Sequence, residues 1–168
     1  KTKGVNIKSA NMKACVHKKY GPPEVVQVME VPVPSCKDDG VLVKVYASTV
    51  NRTDSGFRSA VYFISRFWSG LLRPKQQILG CEFAGVIEET GQLVTSFKEG
   101  DKVFGFNDRA FGGHAEYAPF LENEAIAPMP DGFSFDESAA LAEGAHYALV
   151  NIRAAKVERG QHVLVYGA

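Results

Sequence analysis

The stretch LGCEFAGVIEETG, residues 79–91, decides the fold. It places Cys81 beside Glu82 and then runs apolar, with glycines at Gly85 and Gly91. A short apolar run bounded by glycines is typical of a buried strand that other backbone segments approach closely. The thiol and the carboxylate at the start of this strand become candidates for chemistry only if flanking segments bring partners to them.

Length, charge and cysteine content limit the class of protein. A chain of 168 residues can form one sizeable core and the beginning of a second domain. The 19 basic and 19 acidic side chains cancel, so we expect neither nucleic acid nor an anionic membrane as a partner. Three widely spaced cysteines, no apolar run of membrane-spanning length and no signal peptide predict a protein of the reducing cytoplasm.

The first part of the chain predicts a barrel-like β domain. Residues 1–11 show neither apolar periodicity nor turn signals, so we treat them as a tail or an expression remnant. Strands are predicted over residues 12–20, 25–31 and 41–50, each limited by Pro, Gly or Asp-Gly. Short strands that end at prolines and are joined by turns favour a barrel over an open α/β sheet.

A change of character follows at Asn51, which is a good helix cap for a short helix over residues 51–59. Residues 60–72 are then aromatic and apolar. Two interpretations stay open: a helix or loop packed on the barrel, or a flap that lines a substrate cleft. The flap would present Tyr62, Phe63, Phe67 and Trp68.

The second half predicts one more strand, at residues 101–106. After a Pro/Gly hinge at residues 128–135, Asp136 stands where a helix cap belongs, and an alanine-rich helix is predicted as far as about Ala155. Residues 162–168 (HVLVYGA) form a short β-rich run that ends on glycine and alanine.

The blocks VNRTD (50–54), LGCEFAGVIEETG (79–91) and FKEGDKVFGF (97–106) occur in an order that resembles the catalytic domain of medium-chain dehydrogenases/reductases. The zinc-free quinone-oxidoreductase branch is the most similar, and the resemblance extends from Met12 to Ala168. It implies a mainly β, GroES-like, partly open barrel with short helices at residues 12–135, including a strand at residues 112–117. Residues 136–168 would then be a connecting helix and the first strand of a truncated α/β Rossmann domain.

The resemblance also bears on zinc. Zinc-dependent relatives use a cysteine, a histidine and a later cysteine or carboxylate, and this sequence has Asn51, Cys81 and Glu143 near those positions. Only Cys81 could act as a ligand, together with Glu82 or Glu143. A catalytic zinc needs about three protein ligands, so we predict no metal.

Without a metal, hydride transfer depends on placement and on hydrogen-bond donors near the carbonyl, while a nicotinamide supplies the chemistry. The resemblance implies that Asn51 contacts the nicotinamide or the substrate carbonyl, although a simple helix cap explains it equally well on local grounds. Thr53 could donate its hydroxyl, and Asp54 would organise the turn. Glu82 would position its neighbours and, if buried, would need a partner such as Arg58 or Arg52.

Other side chains receive weaker roles. Cys81 and His114 are expected to be ordinary packed residues. The proton donor could be Tyr46, Tyr62 or Tyr117. Relatives carry Thr-Ala where this chain has Gly144-Ala145, and a glycine inside a helix indicates a close approach by another group. Gly144 and Gly167 are therefore expected to contact the cofactor, together with Asn51.

The leading hypothesis is the substrate-side domain of a zinc-independent, NADP(H)-using reductase of quinones, enals or related activated carbonyls. It would be inactive without its Rossmann domain and a homodimer at full length. One alternative is a non-catalytic GroES-like binding module, and another is a zinc alcohol dehydrogenase domain.

Overall fold

The computed structural model describes residues 10–166. It is mainly β, as predicted. An antiparallel pair, β1 and β2, stands beside a five-stranded antiparallel sheet with the order β6-β3-β4-β5-β7. The strands are β1 (Asn11–His17), β2 (Val26–Pro32), β3 (Gly40–Ser48), β4 (Glu82–Thr90), β5 (Lys102–Phe106), β6 (Tyr117–Leu121) and β7 (Ala125–Pro128). The helices are α1 (Arg52–Ser59), α2 (Arg66–Ser69) and α3 (Phe135–Ala154), with single 3-10 turns at Pro23–Val25 and Phe63–Ser65.

The stretch that decides the fold forms β4, the middle strand of the larger sheet. The glycines of this stretch allow a close approach of the neighbouring backbone, as predicted. A Cβ on Gly85 would collide with the carbonyl oxygen of Lys44 on β3, and one on Gly91 would collide with the backbone of Lys37 and Asp38. Only glycine therefore lets the neighbouring backbone approach at these two places.

Two apolar clusters place the candidate site. The first lies on the sheet, where the rings of Phe83 and Phe120 stack with centroids 3.8 Å apart. The second joins Leu79 and Cys81, at the start of β4, to Phe111 and to Ala142 of α3. This second cluster packs the long helix against the end of β4 that carries Cys81 and Glu82.

Several predicted boundaries were wrong, each for a local reason. Strand β1 begins at Asn11, inside the predicted tail. Helix α3 is capped by Ser134 rather than Asp136, because the Ser134 hydroxyl accepts from the Glu137 N–H and the Glu137 carboxylate accepts from the Ser134 N–H. Residues 112–116 form no continuous strand; Ala115 makes an isolated bridge to β1 before β6 begins.

The C-terminal run also differs from its prediction. Residues 162–166 form no strand and pair with none, and Tyr166 is 99% exposed. A strand needs a neighbour for its backbone donors and acceptors, and no strand of the described chain lies beside this run. The predicted contact Gly167 lies outside the described residues. No helix among residues 10–166 is long and apolar enough to cross a bilayer.

Candidate functional site

Asn51 caps α1, as predicted. Its Oδ1 accepts hydrogen bonds from the backbone N–H groups of Thr53 (2.9 Å) and Asp54 (3.1 Å). Asp54 Oδ2 in turn accepts from the Asn51 N–H at 3.2 Å, which completes a capping box. The oxygen end of the Asn51 amide is therefore fully used by the helix.

The nitrogen end of the same amide lies between three other groups. Asn51 Nδ2 donates to Glu143 Oε2 at 2.6 Å, to Cys81 Sγ at 3.0 Å and to Glu82 Oε2 at 3.1 Å. An amide nitrogen has two hydrogens, so three acceptors share two donors. The helix-cap interpretation of Asn51 is confirmed, and the other end of the amide organises this group. We call Asn51, Thr53, Cys81, Glu82 and Glu143 the Asn51 cluster.

Glu82 is 4% exposed and is held by neutral donors. Its Oε1 accepts from the backbone N–H of Glu143 at 2.7 Å, and its Oε2 accepts from Asn51 and from the Thr49 hydroxyl. The predicted arginine partner was wrong. Arg58 donates instead to the Gly21 carbonyl, and no ion pair joins Glu82 to an arginine within residues 10–166. Hydrogen bonds satisfy the buried carboxylate in place of a cation.

Glu143 belongs to the site, although from the sequence it was considered only as a possible zinc ligand. Its Oε1 accepts from the Thr53 hydroxyl at 2.9 Å and its Oε2 from Asn51. One turn later on α3, Tyr147 is a further polar neighbour, which the sequence analysis did not name. Burial, the negative charge of Glu143 and a hydrogen bond to it raise the pKa of the Tyr147 phenol. The i, i+4 spacing of the two residues would have revealed the pair.

Cys81 is fully buried, which confirms the packing interpretation. Burial raises the pKa of its thiol to about 12, against the opposing effect of the Asn51 hydrogen bond. The side chain therefore stays a neutral thiol at physiological pH. Among residues 10–166 no group of three or more His, Cys, Asp or Glu side chains could hold a metal ion.

Asp54 and His114 contact backbone groups close to the cluster. Asp54 is buried, and its Oδ1 accepts from the Gly80 N–H at 2.8 Å, which fixes the backbone just before Cys81. The His114 Nε2 lies 2.7 Å from the Thr49 carbonyl oxygen. Both findings confirm the prediction that Asp54 organises the turn and that His114 is an ordinary, satisfied histidine.

The remaining predicted residues lie apart from the cluster's hydrogen bonds. Gly144 is exposed on α3, and apart from its neighbours in the helix no atom of the described chain lies within 4 Å of where a Cβ would stand. The close approach expected there is thus not made by this chain. Tyr46 stacks on Phe135 with ring centroids 4.7 Å apart, and Tyr117 is the first residue of β6.

The aromatic segment is not packed on the barrel. All four predicted cleft residues are more than 60% exposed, and the rings of Phe63 and Phe67 meet edge to face with centroids 5.9 Å apart. A cavity of about 370 Å³ lies elsewhere, between the β1–β2 pair and α1. Its lining includes His17, Asp54 and Arg58, but none of the four aromatics and no member of the Asn51 cluster. The four are Tyr62, Phe63, Phe67 and Trp68.

Comparison with known proteins agrees with this architecture. Residues 37–131 match the family described as "Alcohol dehydrogenase GroES-like domain". The quinone oxidoreductase of Sus scrofa is 35% identical over 154 residues, which cover 89% of this chain and 44% of that protein. The 2-methylene-furan-3-one reductase of Solanum lycopersicum is 31% identical over 94% of this chain and 41% of its own length.

A solved structure gives the same result. The quinone oxidoreductase from Coxiella burnetii superposes with a TM-score of 0.78 at 29% identity, over 90% of this chain and 47% of that one. The chain thus spans less than half the length of the relatives it matches. It belongs to the alcohol dehydrogenase GroES-like domain family, in the quinone-oxidoreductase-like branch of the medium-chain dehydrogenases/reductases.

Proposed function

We propose that this chain is the substrate-side domain of a zinc-independent, NADP(H)-dependent oxidoreductase that reduces quinones, enals or related activated carbonyls. The Asn51 cluster is the observation that carries the proposal. One amide nitrogen bonds Cys81, Glu82 and Glu143, in the region where the resemblance places the zinc ligands of metal-dependent relatives. The names of the matched relatives support the same chemical class.

The donor set of the cluster does not fit zinc. Zinc binds thiolate, imidazole and carboxylate, whereas the group at the centre of this cluster is the carboxamide of Asn51. Asn51 directs its N–H groups, which repel a cation, towards the same point. Both carboxylates already accept hydrogen bonds from Asn51. The reduction that we propose therefore does not use a metal ion.

The chain's own residues orient the reactants and hold a proton. A nicotinamide cofactor, when bound, would supply the hydride. Gly144, exposed and without a Cβ, leaves room on α3 for a flat group, and Thr53 and Asn51 keep the Glu143 carboxylate directed into the cluster. The Tyr147 phenol lies one helical turn after Glu143 and keeps its proton at neutral pH, as phenols with a pKa of about 10 do, so we assign it as the donor to the reduced oxygen.

An apolar substrate would also contact the aromatic side chains Tyr62, Phe63, Phe67 and Trp68, since apolar surfaces with few polar groups suit such ligands. At full length, we propose a Rossmann domain that binds NADP(H) and a homodimer in the cytoplasm. The three free cysteines support a reducing compartment. The chain of 168 residues alone should bind substrate without turning it over.

Titration of the chain with 1,4-naphthoquinone tests the proposal. Trp68, the only tryptophan, lies in the proposed substrate surface and reports binding by fluorescence quenching. We expect saturable quenching that Asn51→Ala weakens at least tenfold, because Glu82 and Glu143 lose the donor that positions them. The matched control is Asn151→Ala, on the exposed part of α3. Quenching that does not saturate, or that both variants change equally, would refute the proposed site.

A further inference from the structure

Residues 61–72 expose a large amount of apolar side-chain surface. Eight of its twelve side chains are large, hydrophobic and 53–87% exposed. Contiguous patches of this kind mark interaction surfaces on soluble proteins. We call it the 61–72 surface, and its exposed members are Val61, Tyr62, Phe63, Ile64, Phe67, Trp68, Leu71 and Leu72.

The base of this surface is fixed to the domain. The hydroxyl of Tyr20 donates to the Gly70 carbonyl at 2.5 Å and lies 2.9 Å from the Ser69 hydroxyl. Ser69 itself is buried, and its carbonyl accepts from the Lys75 N–H at 2.8 Å. The guanidinium of Arg66 lies over the ring of Tyr20, 5.0 Å from its centroid. The exposed apolar side chains are therefore carried on an ordered support.

The charged side chains next to the surface in the sequence are all basic. Between Asp54 and Glu82, both buried, residues 55–81 contain four basic side chains and no acidic one. Arg73 and Lys75 follow the surface directly and are exposed. The neutral balance of the whole chain thus conceals a locally cationic segment. The basic side chains are Arg58, Arg66, Arg73 and Lys75.

We propose that the 61–72 surface docks the protein on an anionic lipid bilayer. Tyrosine and tryptophan favour the level of the lipid headgroups, aliphatic side chains enter the acyl boundary, and nearby Lys and Arg are attracted to anionic lipids. All three components are present within residues 61–75. The inference departs from our expectation of no membrane partner, which used the net charge alone.

The same charges argue against a second copy as the occupant. A symmetric dimer through this surface would bring Arg73 and Lys75 of one protomer towards the same cations of its partner. An anionic bilayer instead matches both the apolar area and the positive charge. The Asn51 cluster shares no residue with the surface, so docking can be tested apart from hydride transfer. Tyr62, Phe63, Phe67 and Trp68 are also the proposed substrate contacts, so a bilayer and a substrate would compete for them.

The fluorescence of Trp68 measures docking directly. We would titrate the chain with vesicles of 70% phosphatidylcholine and 30% phosphatidylserine, and with vesicles of phosphatidylcholine alone, at low and high salt. We expect a blue shift of the emission with the anionic vesicles, weakened by salt because screening removes the attraction. No shift, an equal shift with neutral vesicles, or a shift that follows protein concentration without lipid would each overturn the proposal.

Paired variants separate the charge from the apolar contribution. Arg73→Gln with Lys75→Gln should weaken partitioning about 25-fold, at roughly fivefold for each cation, whereas Lys98→Gln with Arg159→Gln should leave it unchanged. Phe67→Ser with Leu72→Ser should weaken it at least tenfold, whereas Leu93→Ser, at an exposed position outside the surface, should not. Circular dichroism checks that each variant is folded. Equal effects from test and control pairs would contradict the assignment.

Discussion

Asn51 uses every hydrogen-bonding position of its side chain within the domain. Its oxygen caps α1, and its nitrogen is shared by Cys81, Glu82 and Glu143. A residue in this position can orient the groups around it without itself being free to bind a substrate. We therefore regard Asn51 first as a positioning residue, and we place the proton on Tyr147.

The substitution Asn51→Asp tests the roles of the two ends of the amide separately. The new carboxylate can still cap α1, but it replaces the N–H donors with a negative charge beside Glu82 and Glu143. Its pKa in the folded chain should therefore rise above the unfolded value of about 3.9. A carboxyl group with a raised pKa leaves the free energy of unfolding unchanged below the pKa of the unfolded state. As the pH rises from there towards the pKa of the folded state, the free energy of unfolding falls.

Urea unfolding between pH 4 and pH 8 measures this effect. We expect the variant to lie close to the wild type near pH 4 and to lose at least about 2 kcal/mol of unfolding free energy at pH 8. Asn151→Asp, on the exposed part of α3, is the control and should change stability by less than about 0.5 kcal/mol. A loss that is independent of pH would show that the carboxylates do not face the amide.

For single residues, the sequence predicted the roles that depend on residues nearby in the chain. The cap at Asn51, the turn at Asp54 and the packed Cys81 follow from short-range chemistry, and the structure confirms them. The partners of Glu82 could not be predicted, because the Glu143 N–H that binds it lies 61 residues away in the chain. Long-range contacts of this kind depend on how α3 packs on β4.

Strand β4 and helix α3 are the elements that assemble the site, and their glycines have opposite roles. Gly85 stands where a Cβ would collide with the Lys44 carbonyl, while Gly144 faces open space. Gly85→Ala should therefore lower the unfolding free energy by about 3 kcal/mol, because the strand cannot accept a larger residue. Gly144→Ala should raise it by up to about 1 kcal/mol, because alanine is the better helix former.

Urea midpoints with an unchanged m-value would measure both changes on the same scale. Each glycine variant serves as the control for the other, since both add one methyl group. Similar losses in the two variants would mean that Gly144 is also closely packed.

Element types were predictable, and their ends were less so. The alternation in β3 and the apolar run of β4 predicted both strands. The predicted cap of α3 was wrong because Ser134, two residues before the more obvious Asp136, forms a capping box with Glu137. Residues 162–166 have strand composition but no neighbouring strand in the described chain, and composition alone does not form a ladder.

At the scale of the molecule, a neutral chain carries two different surfaces. One contains the Asn51 cluster and the exposed face of α3 beside it, and the other is the apolar and cationic 61–72 surface. The family was recognisable from the order of three sequence blocks, and the comparisons confirm it. The local charge imbalance was not apparent from composition, because acidic residues elsewhere cancel it.

The activity that we propose is the reduction of an activated carbonyl without a metal. The most direct test is the oxidation of NADPH, followed at 340 nm, by the native gene product expressed from its own start and stop codons, with 1,4-naphthoquinone and after prolonged treatment with a chelator. We predict quinone-dependent oxidation that survives the chelator. Absence of oxidation, or a loss of activity that added zinc restores, would contradict the account.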